Sequence, residues 1–411
     1  MKTIAIDIGT TTIKCALYVD GKREECFKQE YDLIYENGRT YQNPNDWVSI
    51  ISKGIKSFNI QGKIDGVSIS SQGITIMPVN KKGEPLCNAL SWLDVCSKEE
   101  TLSIEKEFGK DYIFSVTGKK LLPDYSMPKI MHLNKEFNNV YKFLMPADYI
   151  YYLLCGKFVT DFTMASGTML FDVNKREYDK KLLSFAKIKS SQLCKVVPFS
   201  TLIGYVSKEA EKTFGIPYKT PVIMGAQDQK CSMIYCNASK NEATVSIGTS
   251  TAISTFEEQS GYSVFAFDED KKVYEHAIST TGASIKWLKN LLFNSYEEMN
   301  ESAKAVTNSE NLEFDTAFET GAVLKGINLS TNKGEIARAL FSGVAKKIAQ
   351  ALPKNVNKLI VFGGGVRNEV LVSEIEKQTK LQVIVLKDDE TTLSGVDKII
   401  QKYYERSNKK C

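Results

Sequence analysis

A nine-residue pattern occurs twice in this chain, once near the start of each half. Residues 4–12 read I-A-I-D-I-G-T-T-T, and residues 243–251 read A-T-V-S-I-G-T-S-T. Each is a run rich in β-branched residues, the composition of a strand, ending in glycine and hydroxyl side chains. A Gly-Thr turn after a strand offers backbone N–H groups and hydroxyls that close around phosphate oxygens. Two such turns predict a duplicated pair of domains that hold a nucleotide polyphosphate. The copies differ at one place, where Asp7 of the first is Ser246 of the second. A carboxylate beside a phosphate turn is repulsive unless a cation intervenes, so Asp7 points to Mg²⁺ on the first side only.

At 411 residues the chain exceeds one small core, and two or three domains are expected. A net charge of +4 over that length argues against a nucleic-acid binder. No apolar run approaches the ~20 residues that span a bilayer, so no membrane association is expected. Lys409 and Lys410 read as a solvated end. A strand is already under way by Lys2-Thr3, and no signal peptide is expected. The nine cysteines include no C-x-x-C pair, and the two histidines, His132 and His276, lack ligand spacing. Reduced thiols in a cytoplasmic protein fit this better than a zinc site.

The opening reads as a meander of strands over 3–8, 13–19 and 25–31, with a hairpin at Asp20-Gly21. Residues 45–58 read as a helix capped by Asn45 or Asp46. A strand over 64–70 ends in Ser71-Gln72-Gly73, another follows over 74–79, and 97–155 is mainly helical. A loop is expected over 159–169, then a buried strand over 221–225 and a small-residue helix to Cys236. That helix end sets the expected boundary, giving domains 1–236 and 237–411. The second half repeats the plan, with strands over 243–255, 273–278, 358–362 and 382–386. Helices are expected over 283–292, 335–352 and 369–379, with a last one from Thr392. The whole is an α/β, two-lobed architecture.

Several residues stand out for their chemistry. The turn around Asp7, Gly9, Thr10, Thr11, Thr12 and Lys14 is a candidate phosphate site. Neither G-x-x-x-x-G-K-[ST] nor G-x-G-x-x-G occurs, which excludes ordinary P-loop and dinucleotide-fingerprint readings. Gly363-Gly364-Gly365 follows a strand and opens a helix, suiting either close approach to a flat ligand or a flexible connection. Asp228 follows a buried strand between Gln227 and Gln229, where it suits a general base for a hydroxyl or a helix N-cap. Trp92 and Asp94, with Gln72 on a neighbouring strand end, suit a polar sugar pocket with one aromatic wall. Taken singly, Trp92 reads equally as a core anchor and Asp94 as a helix cap.

Together these pieces resemble the FGGY carbohydrate kinases of the actin/hexokinase/Hsp70-like ATPase superfamily. The matching segments occur in the family's order: D-I-G-T-T-T-I-K, S-Q-G-I through S-W-L-D at residue 94, S-M-P-K-I at 126–130, and P-A-D-Y through A-S-G-T at 146–168. They continue with M-G-A-Q-D-Q at 224–229, S-I-G-T-S-T at 246–251, T-G-A-S-I-K-W-L at 281–288 and F-G-G-G-V-R-N at 362–368. The resemblance implies two ribonuclease-H-like domains with an interdomain cleft, and an ATP-dependent kinase for a small polyol or keto-sugar such as a ketopentose. It implies Mg²⁺ held through water by Asp7, and phosphate contacts from Thr10, Thr11, Thr12 and Lys14. It implies nucleotide contacts from Thr249, Gly282, Lys286, Gly364 and Asn368. Asp228 matches the catalytic base, and Gln72, Trp92, Asp94 and Gln229 fall in the acceptor region. The resemblance also admits a homodimer.

Three departures bear on the acceptor side. Where the family often has Arg two residues after the W-x-D aspartate, this chain has Cys96. Where several sugar kinases carry Met-His or Arg-Glu after the Gln72 strand, it has Gly73-Ile74. A P-Y-L-x-G-E-R-x-P segment is shortened to 311–331 without counterpart. Two rivals follow: a regulator that keeps ATP binding but not transfer, and an actin-like assembly protein. A pure binder has no need of both Asp7 and Asp228, which favours the kinase.

Overall fold

The two copies of the repeated pattern each become the central strand of a sheet. The computed structural model describes residues 1–306, 311–318 and 320–408. In the first copy, β1 (Lys2–Ile8) pairs antiparallel with β2 (Thr12–Val19), which pairs antiparallel with β3 (Lys22–Glu30). On its other side β1 runs parallel to a strand that follows the helix α1 (Pro44–Ser57), namely β4 (Gly66–Ser71). Beyond β4 the order continues outward through β6 (Pro221–Ile223) to β5 (Leu202–Tyr205), which is antiparallel to β6. The helix α2 (Asp228–Cys236) follows β6.

Burial explains the strand types. Ile4, Ala5, Ile6 and Ile8 are fully buried, as befits a strand covered on both faces. β3 reads K-R-E-E-C-F-K-Q-E and is mostly exposed, a charged edge that resists pairing with other chains. α1 starts one turn position earlier than expected. Asn43 rather than Asn45 or Asp46 is the N-cap, its Oδ1 accepting from the Asn45 N–H at 3.0 Å, because Pro44 is preset for the first helical position. Trp47, Ile50, Ile51 and Ile55 bury one face of α1, each worth about 1.5–3 kcal/mol by area. The loop expected over 159–169 is instead a strand, Val159–Asp161, and a helix, Phe162–Ser166, whose N-cap is Asp161.

The second sheet repeats the first. β7 (Glu242–Ile247) pairs antiparallel with β8 (Thr251–Thr255), β8 antiparallel with β9 (Lys272–Ile278), and α3 (Thr281–Leu292) follows. After α4 (Lys333–Ala351), β10 (Lys358–Phe362) lies parallel to β7. The helix α5 (Glu369–Thr379) leads to β11 (Gln382–Val385), parallel to β10. The hydrogen-bonded order β9-β8-β7-β10-β11 matches β3-β2-β1-β4-β6 strand for strand, in order and direction. The shortened 311–331 region carries an antiparallel ribbon of Glu313–Asp315 with Val323–Lys325.

The chain forms two compact units, and they differ from the expected 1–236 and 237–411 division. The first is Met1–Tyr235 with Ser263–Lys272 and the chain from Thr392 onward; the second is Cys236–Tyr262 with Val273–Thr391. The final helix α6 (Thr391–Asn408) thus returns to the first unit. Leu393, Val396, Ile399 and Ile400 are fully buried there, and Tyr18 shares a 3.0 Å hydrogen bond with Ser394. At Gly395 a side chain has no room, since a Cβ would lie 1.9 Å from the Cys231 carbonyl oxygen of α2. Among the described residues no helix is long and apolar enough to cross a membrane. Lys409 and Lys410 lie outside the described residues.

Candidate active site

The first-unit turn sits between Ile8 and Ile13, a register pair of β1 and β2, and holds four residues, Gly9 to Thr12. Gly9 N–H donates to the Thr12 carbonyl at 2.9 Å, and a Cβ on Gly9 would meet that oxygen at 2.9 Å, so the tight turn favours glycine. Asp7 and Lys14 are direct register partners on one face of the sheet, at the foot of the turn.

Buried polar groups clamp this turn from behind. Tyr31 O–H donates to the Gly9 carbonyl at 2.6 Å. Gln42, fully buried, donates through Nε2 to the Thr10 carbonyl at 2.6 Å and to the Tyr31 oxygen at 2.8 Å. Gln72 Nε2 in turn donates to Gln42 Oε1 at 2.6 Å. From the other side Trp92 Nε1 donates to Thr10 Oγ1 at 2.8 Å. The Gly9 and Thr10 carbonyls are thus both held by side chains from outside the turn. Burial pushes the Tyr31 hydroxyl up, so it stays protonated and donating.

Asp228 joins the same end of the sheet. Gln227 bridges to Ser71 in parallel register, and Ser71 pairs with Ile8, so β1, β4 and the segment before α2 end side by side. Gln229 N–H donates to Asp228 Oδ1 at 2.7 Å, and Gln227 Nε2 donates to the same oxygen. The Gln227 N–H itself donates to Thr163 Oγ1 at 2.8 Å.

Trp92 and Asp94 part company. Trp92 is 36% exposed, so it is not a core anchor, whereas Asp94 is 2% exposed. Asp94 Oδ2 accepts from Thr40 N–H at 2.7 Å and Oδ1 from Cys96 N–H at 2.8 Å, which ties down the loop that carries Trp92. Lys129 Nζ adds a 2.5 Å bond to the Ser91 carbonyl, and burial lowers that ammonium to about 8. As placed, both Asp94 oxygens hold the loop. Both histidines are structural: His132 lies between Glu100 and Glu136, and His276 stacks on Tyr262 with centroids 5.2 Å apart.

The second-unit turn is one residue shorter, with Gly248, Thr249 and Ser250 between the register partners Ile247 and Thr251. Its counterpart of the Asp7/Lys14 pair is the uncharged Ser246/Ala252. Gly282 and Ala283, at the start of α3, donate to the Gly248 and Thr249 carbonyls at 3.1 and 3.0 Å. A Cβ on Gly282 would lie 2.2 Å from the Gly248 oxygen, so only glycine lets α3 dock so closely. Gly363, at φ +93°, and Gly365 pack on Ile247, while Gly364 faces open space. Lys286 and Thr249 are exposed, and Asn368 is the N-cap of α5, its Oδ1 accepting from Leu371 N–H at 3.0 Å.

The model for the FGGY family of carbohydrate kinases, N-terminal domain, matches residues 2–235. The chain belongs to the FGGY family of carbohydrate kinases. A xylulose kinase of Bacillus subtilis (strain 168) is 24% identical over 431 residues, covering 95% of this chain and 86% of that protein. The solved structure of ligand-bound xylulose kinase from Lactobacillus acidophilus matches with a TM-score of 0.91 at 25% identity, over 98% of this chain and 90% of its own. Gluconate kinase from Lactobacillus acidophilus matches equally well, with a TM-score of 0.90 at 25% identity over 99% and 90%. This FGGY kinase is therefore a phosphotransferase acting on a sugar or polyol, with the two-domain actin-like ATPase fold.

Within this kinase, sequence reasoning missed Tyr31 and Gln42. Neither carries a motif, and only their burial beside the Gly9–Thr12 turn reveals them. The Asn-Pro that caps α1, immediately after Gln42, was the available local signal.

Proposed function

We propose that this kinase transfers the γ-phosphoryl group of ATP to a hydroxyl of a small keto-sugar, a ketopentose in the manner of a xylulose kinase. The observation that carries this reading is the line of β1, β4 and Gln227, which sets Asp228 at the sheet end occupied by the Gly9–Thr12 turn. Asp228 takes the proton of the attacking hydroxyl as the new O–P bond forms. The bond from the γ-phosphorus to the β-bridging oxygen breaks, its electron pair leaves with ADP, and the proton passes from Asp228 to solvent.

Thr10, Thr11, Thr12 and Lys14 contact the phosphates, and Thr249, Gly282, Lys286, Gly364 and Asn368 contact the nucleotide. Gln72, Trp92 and Gln229 face the acceptor, with Asp94 acting through the Trp92 loop. Among the described residues no cluster of three or more His, Cys, Asp or Glu could cage a metal ion. Mg²⁺ needs none, because it keeps most of its waters and takes one or two carboxylates plus phosphate oxygens. The Asp7 carboxylate, 7% exposed at the foot of the turn, fits that role, and the ion would supply charge neutralisation on the phosphates. A cytoplasmic location follows from the use of ATP.

ADP release measured against pentuloses, hexoses, gluconate and glycerol tests the reading. Acceptor-dependent turnover is expected, and turnover no higher than the basal rate with every acceptor would favour the ATP-binding regulator. Asp228→Ala should lower transfer by at least ~10³-fold while ATP affinity stays within about three-fold.

A further inference from the structure

Two side-chain amides at the sheet end that carries Asp228 finish in buried oxygens, Gln72 Oε1 and Gln227 Oε1, with no hydrogen-bond partner among the described residues. Their orientation follows from their partners. The Thr10 carbonyl only accepts, so Gln42 presents Nε2 to it and Oε1 to Gln72. Gln72 must then answer with Nε2, leaving its oxygen spare. The Asp228 carboxylate likewise takes Gln227 Nε2 and leaves that oxygen spare. Native structures rarely leave a buried acceptor without a donor, and the exceptions mark places where a water, ion or ligand group belongs.

The two amides flank a strained segment. Ser71 bridges to Gln227, and a Cβ on Gly73 would lie 3.7 Å from Gln227 Cγ. Thr75 N–H donates to the Gly73 carbonyl at 2.8 Å across Ile74, whose φ is +73°. This is the γ-turn with positive φ, uncommon for any residue and most strained for a β-branched one. Neighbours hold it in place: Ser126 Oγ donates to the Ile74 carbonyl at 2.9 Å, and Trp92 N–H donates to Thr75 Oγ1 at 3.0 Å. Strain held by its surroundings gathers at binding sites. Here it holds the bare Gly73 next to Gln72 in the chain and beside the Gln227 side chain.

We propose that Gln72 and Gln227 are specificity-determining residues, each Oε1 accepting a hydroxyl of the acceptor near the one that Asp228 deprotonates. The inference rests on the kinase reading above and deepens it. The preferred acceptor is a neutral polyol or ketose with two further hydroxyls near the attacked one. An aldonate is disfavoured, because its carboxylate brings charge and no donor to two acceptor oxygens beside Asp228.

The test is kcat and KM for D-xylulose, glycerol, gluconate and a ketose series deoxygenated one position at a time, in wild type, Gln227→Leu and Gln72→Met. One deoxygenation should cost wild type about ten-fold in kcat/KM but cost Gln227→Leu less than about two-fold; a second position should behave likewise for Gln72→Met. Gluconate should be used at least ~10-fold less efficiently than the best neutral acceptor. Equal deoxygenation penalties in wild type and both variants, or gluconate as the best acceptor, would overturn the proposal. Should a variant fail to fold, the wild-type series decides, since no position costing more than about two-fold overturns it as well. Absence of turnover on every acceptor would instead overturn the kinase reading, and this inference with it.

Discussion

The indole Nε1 of Trp92 donates to Oγ1 of Thr10 across 2.8 Å, joining a solvent-facing aromatic to the turn proposed to grip phosphate. Trp92→Phe keeps the ring and removes the donor. The KM for ATP should rise about three- to ten-fold with little loss of stability, the worth of one hydrogen bond at a partly exposed site. Steady-state kinetics with ATP varied at saturating acceptor checks this.

Gln42 carries three hydrogen bonds in a site with no solvent access. Gln42→Leu strands the Thr10 carbonyl and Gln72 Nε2. It should cost about 2–4 kcal/mol of stability and at least ~10-fold in kcat/KM for ATP. Tyr31→Phe, which leaves only the Gly9 carbonyl and one Gln42 hydrogen unpaired, should cost about half as much. Urea unfolding alongside kinetics orders the two.

Gly282→Ala places a methyl group 2.2 Å from the Gly248 carbonyl oxygen, so α3 must retreat from the second turn. A rise of at least about ten-fold in the KM for ATP is expected, with an acceptor KM changed by less than about two-fold. Both constants come from one kinetic matrix, and an unchanged ATP KM would separate α3 from the nucleotide.

Burial pushes Asp148 up to about 7, with the charge of Asp161 adding to the effect, and pushes Asp161 up to about 6. Nearby Cys194 and Tyr178 are also raised by burial. A carboxyl whose folded pKa exceeds its unfolded value binds more protons when folded, so stability falls as pH rises from about 4 to about 7, then levels. Asp148→Asn should flatten that slope by a few kcal/mol across the window, and melting curves at pH 4.5, 6 and 7.5 would show it.

Much of the scaffold was legible because it rests on local patterning. β-branched runs ending in Gly-Thr mark β1 and β7, and apolar spacing marks α1, α4 and α5. The family resemblance was legible because Asp7, Asp228 and the glycines at 248, 282 and 363–365 sit in short segments that occur in the family's order. Other features were not legible. The N-cap shifted to Asn43 because Pro44 preset the first helical position. The 159–169 segment gained a strand and a helix because β-pairing with Lys195–Val197 and the Asp161 cap outweighed its loop-like composition. Ile74 adopts a conformation its own side chain disfavours, held by Ser126, 52 residues on, and by the bond of Trp92 to the adjacent Thr75.

The sequence by itself determined the duplicated sheet plan, the Asp7/Ser246 difference between the two turns, and the carboxylate after the buried strand, since each depends on residue type over a short span. Tertiary structure decided the rest: that Tyr31 and Gln42 hold the first turn, that Asp94 faces inward while Trp92 faces out, and that α6 closes on the first unit. The physical reason is that a buried hydrogen bond or a close helix contact draws its free energy from groups far apart in the chain. No local pattern announces that the Thr10 carbonyl will meet an amide 32 residues away, or that Gly395 will touch the backbone of Cys231.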